Sequence, residues 1–271
     1  MTRVAVVGTS NIGAIKYALP EIAQDWPGFD VTCYGLPGGK FDAAAVDDAG
    51  VFRPSSGDAA TLKLARRVNG TEALDLKSFD TVLVIGDTLG MPATLYTALN
   101  YDVVSWATRR NRPLISAHGF LSAMEEAIAE RTAHLAGQFR DIRPVFVAPA
   151  PYPTTAVVPQ GALQQQPYAA MAAHPEAARL QQLFRAALAR ALETHAIGLV
   201  LQPDHTIARP FLTKPEFGIS AMDFRAEGQI LDDHRHMNAQ FGASLFRAFA
   251  LALSATPAGS HDLATRKDQG A

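Results

Sequence analysis

Short apolar runs alternate with helix-spaced apolar positions along this chain. Val4–Val7 is continuously apolar, as a strand buried on both faces must be, and Ile12, Ile15, Leu19 and Ile22 then follow helical spacing. Asp30–Tyr34 predicts a second strand, closed by the turn Leu36-Pro37-Gly38-Gly39. Thr81–Ile85 is the clearest strand, Val-Leu-Val-Ile running into Gly86. Pro113–Ser116, Pro144–Ala148 and Gly198–Leu201 predict three more. Between them the spacing predicts helices over about Ala93–Arg109, Leu121–Gln138 and Ala169–His195. A last helix runs from Asn238 to about Ser254, with Phe241, Leu245, Phe249 and Leu253 four apart on one slowly drifting face.

Repeated strand–helix alternation implies an α/β fold with a mainly parallel, doubly wound sheet. Residues 40–78 are less regular; Phe52 and the polar stretch Ser55-Ser56-Gly57 suggest a long connection with a small hairpin and one helix. Residues 149–168, rich in Pro and Gln, read as a loop. Residues 255–271 are polar and patternless, which predicts a disordered tail and leaves 1–254 as a single domain.

Composition narrows the function. At 271 residues, 48% hydrophobic and 18% charged, the chain fits one domain with a large core. A net charge of −2 gives no basic surplus for nucleic acid or an anionic membrane surface. No apolar run reaches the roughly 18–20 residues of a membrane span. The run after Met1-Thr2-Arg3 is too short for a signal core. Cys33 is the single cysteine, so no intrachain disulfide forms, which fits a reducing cytosol.

Two segments carry chemistry. Gly8-Thr9-Ser10-Asn11-Ile12-Gly13 turns an apolar strand into a helix. It is similar to a dinucleotide-binding turn, but Ser10 replaces the middle glycine and obstructs the approach to a pyrophosphate. The second strand also ends in Cys33-Tyr34-Gly35, without the acidic residue that would hold a ribose. Read as a nucleophile, Ser10 faces the crevice at the carboxyl end of the first strand, and the helix N-terminus supplies amides and a positive dipole end. Read as structure, Ser10 simply caps that helix. The second segment is Asp232-Asp233-His234-Arg235-His236-Met237-Asn238. Asp233 and His236, three apart in a turn, can place a carboxylate on one imidazole nitrogen and leave the other as a general base. The bland alternative is a solvated loop capping the last helix. Metal binding by Asp232, Asp233, His234 and His236 is disfavoured by the intervening Arg235 and the absence of a second ligand cluster. Asp204-His205 after the strand at 198–201 competes for the base role, and His118 could line the crevice. His134, His174 and His195 fall in helical patterns.

Together these segments resemble the SGNH (GDSL-like) hydrolase family. Gly8-Thr9-Ser10-Asn11 is similar to its nucleophile block, with Thr9 in place of the usual Asp. Asp233-His234-Arg235-His236-Met237-Asn238-Ala239-Gln240-Phe241-Gly242 is similar to its last block. The flavour is that of a bacterial branch whose first block reads Gly-Asn-Ser-His and which often accompanies glycan genes. That branch carries an Ile-Asp-Leu-x-x-Tyr-Asp segment, to which Ala73-Leu74-Asp75-Leu76-Lys77-Ser78-Phe79-Asp80 is similar. The resemblance spans roughly residues 3–253. It implies a flavodoxin-like three-layer α/β/α sandwich and esterase or acyl-transfer chemistry without a cofactor or metal. It makes Ser10 the nucleophile, His236 the base and Asp233 its orienting partner. The amides of Ser10 and Gly38, with Thr88, would form the oxyanion hole.

The third block departs from the pattern. The family has Gly-x-Asn, and this chain has Gly86-Asp87-Thr88. Thr88 can donate one hydroxyl hydrogen bond, with a shorter reach than an amide. An inward Asp87 would repel an oxyanion. Losing one such donor costs roughly 2.7–4 kcal/mol; Asn11 is an alternative donor. The sequence therefore predicts a serine hydrolase or acyltransferase acting on an acyl ester of a small molecule or glycan, an O-acetylated sugar being one candidate. A non-catalytic carbohydrate- or partner-binding module on the same fold is the second reading, and a dinucleotide-binding protein the third.

Overall fold

The computed structural model describes residues 1–54, 58–107, 109–155, 166–218 and 235–256. The expected tail beyond 256 and the residues Asp232, Asp233 and His234 lie outside them.

Among the described residues five strands form the central parallel sheet: β1 (Thr2–Gly8), β2 (Phe29–Gly35), β3 (Thr81–Ile85), β4 (Val145–Ala148) and β5 (Ile197–Leu199). Their spatial order is β2-β1-β3-β4-β5. This is the flavodoxin-like order, in which the winding reverses between the first and third strands and a crevice opens at their carboxyl ends. It differs from the dinucleotide-binding order 3-2-1-4-5-6. Gly8 pairs in register with Gly35 on one side and Ile85 on the other, and Ile85 pairs with Ala148, so those four residues mark the carboxyl edge.

The apolar runs are continuous because each strand feeds two cores. Val4, Val6, Leu83, Ile85, Phe146 and Ala148 point to one face, where helix α1 (Gly13–Asp25) and the C-terminal helix pack. Ala5, Val7, Val82, Val84, Val145 and Val147 point to the other. That face carries α2 (Ala59–Asn69), α3 (Met91–Asn100), α4 (Ala117–Gln138) and α5 (Ala177–Glu193). The C-terminal helix is α6 (Ala239–Ala255). The result is a three-layer α/β/α sandwich. α1 and α6 approach so closely that a Cβ on Gly242 would lie 2.0 Å from the Ala14 carbonyl oxygen, so only glycine fits there.

Three expectations need correction. The segment 113–116 does not join the central sheet: Leu114–Ile115 pairs in parallel with Asp102–Val103 in a separate two-stranded sheet. The helix expected to reach Arg109 ends at Asn100. The buried Asp102 carboxylate gathers the amides of Arg110 (2.9 Å) and Arg112 (3.0 Å), which fixes a loop instead of another helical turn. The helix expected over 169–195 is two, Gln166–Ala172 and α5, broken at His174-Pro175, because proline drives its predecessor out of the helical region. Within 40–78 the chain forms a short helix (Gly38–Asp42), α2 and a small antiparallel sheet of Ala45–Val46, Val51–Arg53 and Leu74–Asp75. Among the described residues no helix is long and apolar enough to cross a membrane.

Candidate active site

The chain leaves β1 through a single tight turn, Ser10–Ile12, before α1 begins. Thr9 caps that turn. Its backbone is extended (φ −76°, ψ −170°), and its hydroxyl oxygen accepts from the Asn11 amide at 3.4 Å. The capping role open to Ser10 is therefore filled by its neighbour. Ser10 is exposed, and as the first residue of the turn its own N–H lacks an acceptor within the turn.

His236 reaches the same place from the other end of the chain. Met237 is buried among Phe217, Phe241 and the sheet, and the Asn238 side chain caps α6 by accepting from Phe241 N at 3.2 Å. The Asn238 amide donates to Phe217 O at 2.8 Å, and its side-chain nitrogen to Glu216 O at 2.8 Å. These anchors fix the segment at Met237 and Asn238, and His236 lies over the sheet edge. His236 Nε2 and Ser10 Oγ are 2.7 Å apart. In the tautomer protonated at Nδ1, the Ser10 hydroxyl donates to Nε2, which is the geometry of a serine poised to lose its proton. Asp233, expected to orient the imidazole, lies outside the described residues.

The other candidate donors follow neighbouring strands at the same sheet edge. Gly38 is exposed at the first position of the short helix after β2, three residues past Gly35, and its N–H too lacks an intrahelical acceptor. Thr88 follows β3, and together with Asn11 it lines a cavity of about 280 Å³. Asn11 Nδ2 donates to Thr9 Oγ1 at 3.0 Å and packs against Gly86. Gly86 has φ +98°, and a Cβ there would stand 2.1 Å from Thr9 Oγ1, so the first and third loops interlock only around a glycine.

Asp87 does not face the crevice. Its side chain is 1% exposed, with one oxygen 2.6 Å from Arg131 Nη2 on α4 and the other accepting from Leu89 N at 2.8 Å. Arg131 also bonds Asp42 at 2.9 Å. Burial works against its charge, but the two carboxylates outweigh that and hold the guanidinium above its ordinary value. The repulsion feared for an inward Asp87 is thus absent, because its charge is neutralised on the far side of the loop.

Arg131 was not identified from the sequence. The signal was present: it sits between Ile128 and Leu135, beside the buried Thr132 on the inward stripe of α4, where an arginine needs a carboxylate partner. Other candidates go elsewhere. His205 Nε2 is 3.1 Å from Ser244 Oγ, and Asp204 pairs with Arg185 at 3.2 Å, so neither joins Ser10. His118 is exposed on the first turn of α4 and is not among the residues lining the cavity. His134 meets the Asp42 carbonyl, and His174 is buried against Trp106. Burial pushes the Cys33 thiol up to about 12, which makes it unreactive as a nucleophile at neutral pH. Among the described residues no cluster of three metal-ligating side chains occurs.

No protein-family model matches the chain, and no curated protein matches it. Among solved structures, an extracellular lipase from Streptomyces rimosus is similar over 94% of this chain and 100% of that chain, at 13% identity and a TM-score of 0.41. Values that low transfer no chemistry from that protein to this one.

Proposed function

We propose that this chain is a serine esterase or acyltransferase of the SGNH type, with Ser10 as nucleophile, His236 as general base and Asp233 as the partner that orients it. One observation carries the reading: Ser10 Oγ and His236 Nε2, 226 residues apart, lie within 2.7 Å at the topological switch point of a 2-1-3-4-5 sheet. His236 takes the hydroxyl proton as Oγ attacks the acyl carbon. The tetrahedral oxyanion accepts from the amides of Ser10 and Gly38, with Asn11 Nδ2 and the Thr88 hydroxyl as side-chain donors. Collapse expels the alcohol, which takes the proton back from His236 and leaves an acyl ester on Ser10. Water then releases the acid, or a second alcohol takes the acyl group.

A fluorophosphonate probe, read by mass spectrometry of the labelled peptide, tests the assignment. Labelling at Ser10, lost in Ser10→Ala and in His236→Ala, is the expected result. A folded wild-type protein that resists the probe refutes it and favours a non-catalytic binding module on the same fold, which the replacement of the expected Asn by Thr88 would then explain.

A further inference from the structure

We infer that the cavity beside Ser10 is an acyl pocket for esters of medium-length apolar acids, which sets the substrate class apart from sugar acetates; the inference rests on the hydrolase reading above. The cavity holds about 280 Å³ and is lined by Asn11, Thr88, Arg235 and a largely apolar wall. Asn11 is the chain neighbour of Ser10, and Arg235 of His236, so the cavity lies beside the pair. At the roughly 30 Å³ that a water-sized group takes up in a liquid, the space corresponds to on the order of nine such groups. With imperfect filling it suits an acyl chain of about six to eight carbons, far more than an acetyl group needs.

The wall points the same way. Pro92, Pro151, Pro153 and Pro167 contribute four rings and no N–H donors, and Leu95 and Ala150 add apolar surface. Two backbone groups of the wall are already engaged: Ala150 N donates to Asp87 O at 2.8 Å, and Pro153 O accepts from Thr213 N at 2.9 Å. Burial raises the Tyr168 phenol well above its ordinary value, so it stays neutral. Sugar hydroxyls pressed against proline rings would lose water without gaining partners, whereas an alkyl chain loses nothing there. Asn11 and Thr88 bring polar side chains to the cavity beside the Ser10 turn, Arg235 and the Tyr168 hydroxyl add two more, and the remaining six lining residues are apolar. Prolines also fix the wall in advance, since their φ angles are locked.

The test is a series of p-nitrophenyl esters from acetyl through butyryl, hexanoyl and octanoyl to dodecanoyl. Expected is a maximum in kcat/KM at hexanoyl or octanoyl, at least about tenfold above acetyl, with a fall at dodecanoyl. A maximum at acetyl, or a flat profile with Ser10-dependent cleavage, overturns the pocket while leaving the hydrolase reading standing. Pro92→Trp, on the exposed first turn of α3, should cut the hexanoyl-to-acetyl ratio about tenfold at an unchanged melting temperature. An unchanged ratio in that folded variant also overturns the pocket. Calorimetry on Ser10→Ala keeps the two readings separate. Octanoyl ester binding at least about tenfold tighter than acetyl, and lost with Pro92→Trp added, supports the pocket even if the wild type cleaves neither. Equal binding of the two esters refutes it.

Discussion

After β1 the chain holds its crevice residue with one hydroxyl; after β3 it does so with a buried ion pair. Thr9 caps the first loop from the adjacent position and leaves Ser10 exposed against His236. The second loop has Gly86 at φ +98°, Leu89 at +49° and Gly90 at +85°, and it depends on Asp87 reaching Arg131, 44 residues away. A left-handed Leu is costly unless the surroundings fix it, and here the Asp87 carboxylate holds the Leu89 amide. One loop is held mainly by the hydroxyl of its own cap; the other is tied to the core through a buried carboxylate that serves as a strut. The largest effect should therefore come from the first loop and be purely chemical. Ser10→Ala should lower ester cleavage by at least about ten-thousandfold with no change in melting temperature, because Thr9 and not Ser10 is the cap. Residual cleavage within tenfold of wild type would remove Ser10 from the chemistry.

In the second loop the largest effect should be on stability. Arg131→Met strands the buried Asp87 carboxylate and should cost about 3 kcal/mol in urea unfolding. Adding Asp87→Asn should recover part of that loss, since the stranded charge is gone while the Leu89 amide keeps a side-chain oxygen. If Arg131→Met costs under about 1 kcal/mol, the pair is a surface contact and the contrast between the loops fails.

The same contrast explains what the sequence made legible. The strands β1, β3 and β4 could be read because each carries an unbroken apolar run, and Ser10 could be read because its strand, turn and helix are contiguous. Helix ends at Asn100 and at His174-Pro175 were missed where a loop is held by distant groups, such as the Asp102 carboxylate, or where one proline interrupts a long apolar period. The direction of Asp87 stayed open for the same reason. A sequence displays a charge, but the partner that turns it away from the crevice is set by tertiary packing. The apolar wall of Pro92, Leu95, Pro151, Pro153 and Pro167 comes from separate segments and has no period to detect.

A substitution at the crevice face of the second loop sharpens the comparison further. Thr88→Asn lengthens the donor by one bond on a backbone that Asp87 already fixes. Ester cleavage should rise about 10- to 100-fold, less than a full oxyanion donor because the surrounding side chains were not shaped for the larger amide. An unchanged rate in a folded Thr88→Asn protein would mean that Asn11 already occupies that role, and Asn11→Ala should then lose by a similar factor.

The smallest effect belongs to the atom that joins the two loops. Thr9 Oγ1 accepts from Asn11 Nδ2 at 3.0 Å and donates to Gly86 O at 3.4 Å, so one hydroxyl touches both sides of the crevice. Thr9→Val keeps the shape and removes the oxygen. The lost cap should cost about 1 kcal/mol. The freed Asn11 amide should also cost catalysis, but only about two- to tenfold, since Ser10 and His236 keep their own anchors at the turn and at Met237. Thr9→Ser retains the hydroxyl and should restore both values. The readout that separates a bridge from a simple cap is the split between kcat and KM. A cap alone lowers the melting temperature and leaves kcat intact. A bridge lowers kcat at fixed KM, because Asn11 is asked to bind the oxyanion and not the ester that precedes it. If Thr9→Val loses stability with kcat unchanged, the two loops are coupled only by packing, and Asn11 is not a donor in the reaction.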